Sequence, residues 1–172
     1  RRGYALELAV DFIRMKQERE SFWRIDTSKP VVAIKNQTLD EVIGTWPKNN
    51  IPVRIGDYMF RPHQRWTITP VAEAGGTLCG PYFKIIIEGT ERALAATADK
   101  ELTTVSVFSG TDEQLWRIEQ LTDGTFRIMP KAIPGQAGLN TKYVLYSIAD
   151  STPTLAEYDF NSDNSKWNFR DR

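Results

Sequence analysis

A tryptophan-centred marker recurs three times along this chain at nearly even spacing. It reads His63-Gln64-Arg65-Trp66, then Glu113-Gln114-Leu115-Trp116, then Asn164-Ser165-Lys166-Trp167. Tryptophans at 66, 116 and 167 leave gaps of 50 and 51 residues, and each opens an alternating run: Trp66-Thr67-Ile68, Trp116-Arg117-Ile118, Trp167-Asn168-Phe169. A self-similar period of this length means that copies of one supersecondary unit stack on a shared core. The 172 residues suffice for one such core without covalent staples.

The stretches between the markers read as short strands. Runs rich in Val, Ile, Thr, Tyr and Phe alternate with turn residues, which is the pattern of an all-β domain. They fall into the same order three times. Opening strands are Phe22-Trp23-Arg24-Ile25, Tyr82-Phe83-Lys84-Ile85 and Thr125-Phe126-Arg127-Ile128, the last two following Gly80 and Gly124. Second strands are expected from Val31 to Ile34, Ala93 to Thr97 and Lys142 to Tyr146. Third strands are expected from Ile51 to Ile55, Leu102 to Phe108 and Thr154 to Tyr158, and the marker Trp opens each fourth strand. The repeats then cover about 21–69, 80–119 and 124–170 within a domain of residues 21–172.

Glu20-Ser21-Phe22-Trp23-Arg24-Ile25-Asp26 resembles Glu113-Gln114-Leu115-Trp116-Arg117-Ile118-Glu119 as closely as it resembles an opening strand. The frame starting near Ser21 is preferred because it needs only three complete units. Residues 1–20 become an N-terminal extension, with helical spacing of Leu8, Phe12 and Met15. This segment is expected to pack on the domain or on a second subunit. Length differences collect in three places: residues 35–50, the linker 70–81, and a Gly/Pro-rich insertion before Lys142.

Composition removes several classes of function. Twenty-two basic and 22 acidic residues are interspersed, without the basic patch that a nucleic-acid or anionic-membrane partner requires. No apolar run reaches the length of a membrane-spanning helix, and no signal peptide is visible, so a cytoplasmic or non-classically secreted protein is expected. The single Cys79 has no partner for an internal disulfide. No zinc-ligand spacing, phosphate-binding Gly loop or paired-carboxylate signal is present, so neither cofactor nor metal is expected. Cys79 and His63 lack a third group to orient the imidazole, and an enzyme is not expected.

The marker Trp residues read first as core. A Trp buries a large apolar area and needs one partner for its indole N–H, so Trp66, Trp116 and Trp167 are expected to pack with Ile25, Ile85 and Ile128 of the opening strands. The polar residue two positions earlier ties down loop backbone.

Together, Gly124-Thr125-Phe126-Arg127-Ile128, Gln114-Leu115-Trp116 and the period resemble the ricin-B-type β-trefoil family, in particular the small mushroom lectins and trefoil protease inhibitors of fungi. The resemblance covers residues 21–170 and implies a β-trefoil of three four-stranded repeats carrying the Gln-x-Trp repeat. It also implies a non-catalytic lectin that binds glycans or glycoproteins in shallow pockets of one or more repeats. Sugar-binding members place an Asp after the first strand, an aromatic on the third, and Asn or Gln beside the marker. Carried over, this set implies Asp40, Trp46, His63 and Gln64 in the first repeat, and Asn140, Tyr158 and Asn164 in the third. The second repeat offers Thr90 and Glu113, a poor match, and no repeat reproduces the full set. The family also includes inhibitors of cysteine or serine peptidases that act through a surface loop, and interaction subunits that bind no sugar. Both stand as alternatives.

Overall fold

The structure is a computed structural model that describes residues 32–36, 42–44, 53–56, 64–77, 80–148, 152–159 and 161–171. The first repeat contributes β1 (Val32–Asn36), β2 (Val42–Gly44), β3 (Arg54–Gly56) and β4 (Trp66–Pro70). A linker follows, with a single 3-10 turn and two short strands, β5 (Gly76–Thr77) and β6 (Gly80–Pro81). The second repeat is β7 (Phe83–Ile87), β8 (Ala93–Ala96), β9 (Leu102–Val105) and β10 (Trp116–Gln120). The third is β11 (Phe126–Pro130), β12 (Tyr143–Tyr146), β13 (Thr154–Glu157) and β14 (Trp167–Asp171).

First and fourth strands pair into a closed ring: β1 with β4, β4 with β7, β7 with β10, β10 with β11, β11 with β14, and β14 back to β1. Second and third strands form the hairpins β2–β3, β8–β9 and β12–β13. Ring closure leaves no open edge on the barrel strands. A six-stranded barrel with three hairpins, built from three four-stranded repeats, is the β-trefoil.

The marker Trp sets the register at every joint. Each pairs with the first residue of its own repeat's opening strand: Trp66 with Val32, Trp116 with Phe83, Trp167 with Phe126. Each also pairs with the last residue of the next opening strand in the ring: Trp66 with Ile87, Trp116 with Pro130, Trp167 with Asn36. All three rings are fully buried, and each indole N–H reaches a strand-two carbonyl of its own repeat. The acceptors are Ile43 at 3.1 Å, Leu94 at 2.9 Å and Leu145 at 3.0 Å. These bonds join the barrel to the hairpins, in addition to the strand-one to strand-two pairing of β1 with β2 and β7 with β8.

The structure corrects the frame of the first repeat. Val31 to Ile34 was expected as a second strand, yet Val32–Asn36 is the opening strand, since it closes the ring against β14 and meets Trp66. Strand two of this repeat is Val42–Gly44, inside the stretch 35–50 expected to hold a length difference. The core isoleucines at the third position of each opening strand are Ile34, Ile85 and Ile128, all fully buried. The role assigned to Ile25 therefore falls to Ile34. Ile25, Phe22-Trp23-Arg24 and the extension 1–20 lie outside the described residues. The aromatic-x-Ile pattern of Phe22 to Ile25 misled because β1 reads Val-Ala-Ile, an opening strand without its aromatic.

Candidate functional site

A short 3-10 turn delivers two of the markers into their strands: Asp112–Gln114 before Trp116 and Asp163–Ser165 before Trp167. Gln114 is buried, accepts from Ser109 N–H at 2.8 Å, and donates to Ser109 Oγ at 3.0 Å. In the third repeat Ser165, also buried, donates to Ser162 O at 3.4 Å. Gln64 is buried at the equivalent place. Gln114 and Ser165 thus hold loop backbone from below the surface.

The position that the resemblance implies for an acid after the first strand is occupied by Thr90 and Asn140 in the second and third repeats, and both close the loop between strands one and two. Thr90 Oγ1 donates to Ile87 O at 2.9 Å and accepts from Arg92 N–H at 3.1 Å. Asn140 Nδ2 donates to Pro130 O at 3.0 Å and Tyr143 O at 2.8 Å, while its Oδ1 accepts from Tyr143 N–H at 3.0 Å and Lys142 N–H at 3.3 Å. A side-chain amide has two donors and two acceptor sites. Backbone uses all four in Asn140.

The Gly/Pro-rich insertion projects from this neck. Its ends are tied by Asn140 N–H to Lys131 O at 2.8 Å, and Ile133 is buried in the core. Residues 135–139 are exposed, Leu139 by 57%.

Tyr158 follows β13 and donates its backbone N–H to Lys142 O at 2.9 Å, near the start of β12. Its half-buried ring carries the Arg127 guanidinium at 4.8 Å, a cation–π contact. Asn164 acts at the far end of the same strand. Its Nδ2 donates to Ser147 O at 2.7 Å, and Ser147 N–H donates back to Asn164 O at 3.2 Å. From Tyr143 to Ser147 is about 13 Å of extended chain. Asn140 and Tyr158 are thus brought to one end of β12 and Asn164 to the other. Asp40, Trp46 and His63 lie outside the described residues.

Charge around the third repeat is organised by Asp123, in the turn between β10 and β11. The Thr125 hydroxyl and then the Thr125 N–H donate to its carboxylate, and Lys166 lies 3.1 Å away, which together bring its pKa down to about 2 against the opposing effect of burial. Lys166 is raised, by Asp163 first and Asp123 next. Lys142 is raised by its pairing with Glu157 at 3.2 Å. Among the described residues no three His, Cys, Asp or Glu side chains form a metal-binding group, and no helix is long and apolar enough to cross a membrane.

One constellation escapes the motif reading. Arg117, Glu119 and Arg127 share the outer face of the β10–β11 hairpin beside Tyr158. Its signal was the period-2 alternation of Trp-Arg-Ile-Glu against Phe-Arg-Ile, which points Arg and Glu away from the buried Trp116, Ile118 and Ile128.

No family model and no curated protein sequence matches this chain. Solved structures do, at the level of the fold. The designed three-fold symmetric protein ThreeFoil superposes with a TM-score of 0.65 and 17% identity, over 82% of this chain and 98% of its own. SeviL, solved bound to the asialo-GM1 saccharide, gives 0.59 and 14% over 83% of this chain and 97% of its own. The endo-β-galactosidase of Clostridium perfringens that releases GlcNAcα1-4Gal gives 0.61 and 13%; the match spans 81% of this chain but only 32% of the enzyme. The same fold thus occurs both nearly alone and as one part of a larger chain.

Proposed function

We propose that this protein is a non-catalytic, glycan-binding β-trefoil of the lectin type. The observation that carries the reading is the closed three-repeat ring, which matches SeviL, a protein solved with a saccharide bound, over nearly its whole length. The local chemistry is compatible. Sugar recognition needs an aromatic face and a few fixed donors and acceptors on a shallow surface. In the third repeat the proposed contacts are Tyr158 at one end of β12 and Asn164 at the other. In the first repeat they are Asp40, Trp46 and His63; the neighbouring Gln64 is buried and is not counted among them. Asn140 is left out of the contact set, because its hydrogen-bonding capacity is spent on backbone.

A glycan array probed with the full chain tests this, run beside inhibition assays on papain and trypsin. Binding to a defined set of glycans, weakened by Tyr158→Ala, is the expected result. An array without signal, together with tight inhibition of either peptidase, would overturn the reading in favour of a loop-presenting inhibitor.

A further inference from the structure

The hairpin β10–β11 holds a charge arrangement that its two counterparts lack. Its register places Glu119 opposite Arg127 and Arg117 opposite Met129, with Arg117 two residues from Glu119 on the same face. At the equivalent positions, the β4–β7 joint has Thr69 opposite Lys84 and Thr67 opposite Ile86, and the β14–β1 joint has Arg170 opposite Ala33 and Asn168 opposite Lys35. Two arginines around one carboxylate occur at a single joint of the three.

That carboxylate does not satisfy both cations. Glu119 Oε2 accepts from Arg127 at 3.1 Å. Its Oε1 lies 2.8 Å from Arg117 Nε, but the pair lacks hydrogen-bond geometry, so it is an ion contact alone. Nη2 of Arg117 donates to the thioether of Met129 at 3.5 Å. Arg127 Nε is shielded without a hydrogen-bond partner. Among the described residues one carboxylate thus faces two guanidinium groups, on a face that ligands can reach, since the side chains of Arg117, Glu119 and Arg127 are 34%, 28% and 26% exposed. The Asp159 carboxylate, next to Tyr158, accepts from Asn161 N–H at 2.9 Å within its own loop.

We propose that this face, bounded by Arg117, Arg127 and Tyr158, takes the carboxylate of an acidic sugar residue. The inference rests on the glycan-binding reading and names the ligand class for it. A guanidinium offers planar, paired donors that match a carboxylate in two-point contact, which a compact ammonium does not. Arg127 is fixed between Glu119 and the Tyr158 ring, so its remaining N–H groups are oriented before a ligand arrives. The half-buried tyrosine supplies the apolar surface on which a sugar ring rests. Glu119 competes for the same donors and thereby sets how strongly the site binds.

The test is a titration of the full chain with matched glycan pairs: one terminating in a carboxylated sugar, its neutral counterpart, and a sulfated counterpart. Carboxylated glycans are expected to bind about tenfold more tightly than neutral ones, the size of one charge-assisted contact. Arg127→Gln and, separately, Arg117→Gln should bring that ratio toward one, and Glu119→Gln should raise it, with melting temperatures measured in parallel. Should Arg127→Gln not fold, the opposite responses of Arg117→Gln and Glu119→Gln decide the matter. Equal binding of neutral and carboxylated glycans overturns the inference and leaves the lectin reading standing. Tighter binding of sulfated glycans overturns the carboxylate assignment. An array on which no glycan binds removes the lectin reading, and this inference with it.

Discussion

The indole N–H of Trp116 donates to the carbonyl of Leu94 at 2.9 Å, and the same bond recurs from Trp66 to Ile43 and from Trp167 to Leu145. Each marker is both a plug of the barrel and a tie to its hairpin. Trp116→Ala should cost about 3–5 kcal/mol, as expected for a large-to-small change in a close-packed core. Trp116→Phe keeps much of the burial but orphans the Leu94 carbonyl, at a cost of about 1–3 kcal/mol. Urea denaturation measures both, and a near-wild-type midpoint for the alanine variant would contradict the core assignment.

Asn140 provides a second check, because the resemblance to sugar-binding trefoils implies an acid at this position. Asn140→Asp replaces two amide donors with acceptors that face the carbonyls of Pro130 and Tyr143. It should destabilise the protein by about 1–3 kcal/mol and bring no new galactose binding. A variant of unchanged stability that gained sugar affinity would show that the loop can give up this clamp.

Asp123 confers a pH dependence whose sign follows from its lowered pKa. The carboxylate is favoured in the folded state, so its contribution is complete above the unfolded value of 3.8 and is lost as pH falls toward about 2. The side chain is 45% exposed, so solvent screening keeps the effect below about 1 kcal/mol. Asp123→Asn should be less stable than the parent at pH 6, and the gap should close near pH 2. A gap that stays constant across this range would exclude the linkage.

Ser147 is buried, and its hydroxyl has no hydrogen-bond partner among the described residues, although its backbone is paired with Asn164. Removing an unsatisfied buried hydroxyl while keeping the backbone bonds should be neutral or stabilising, by up to about 1 kcal/mol for Ser147→Ala. Thermal unfolding reads the change directly, and a loss of more than about 1 kcal/mol would mean that the hydroxyl has a role.

Much of this fold was legible before any coordinates. The Trp period and the apolar alternation around Ile85 and Ile128 placed eight strands of the second and third repeats to within a residue or three. The first repeat misled because local pattern outranked pairing: Phe22 to Ile25 carries the aromatic signature, while Val32 to Ile34 earns its place only by meeting β14 and Trp66. The site residues were harder for a different reason. That Asn140 is saturated by backbone, or that Asn164 and Tyr158 work at opposite ends of β12, depends on where side chains point after the loop is built. The Arg117, Glu119 and Arg127 face depends on register across a turn, which composition does not report.

Closure of the ring by β1 and β14 has a practical side. Val32 pairs with Asp171, so the polypeptide enters and leaves the barrel shoulder to shoulder, about 5 Å apart. Two cargoes fused upstream of β1 and downstream of β14 would be held as near neighbours. The joint between β10 and β11 repeats the same geometry with a short turn: Gln120 pairs with Phe126 as Asp171 pairs with Val32.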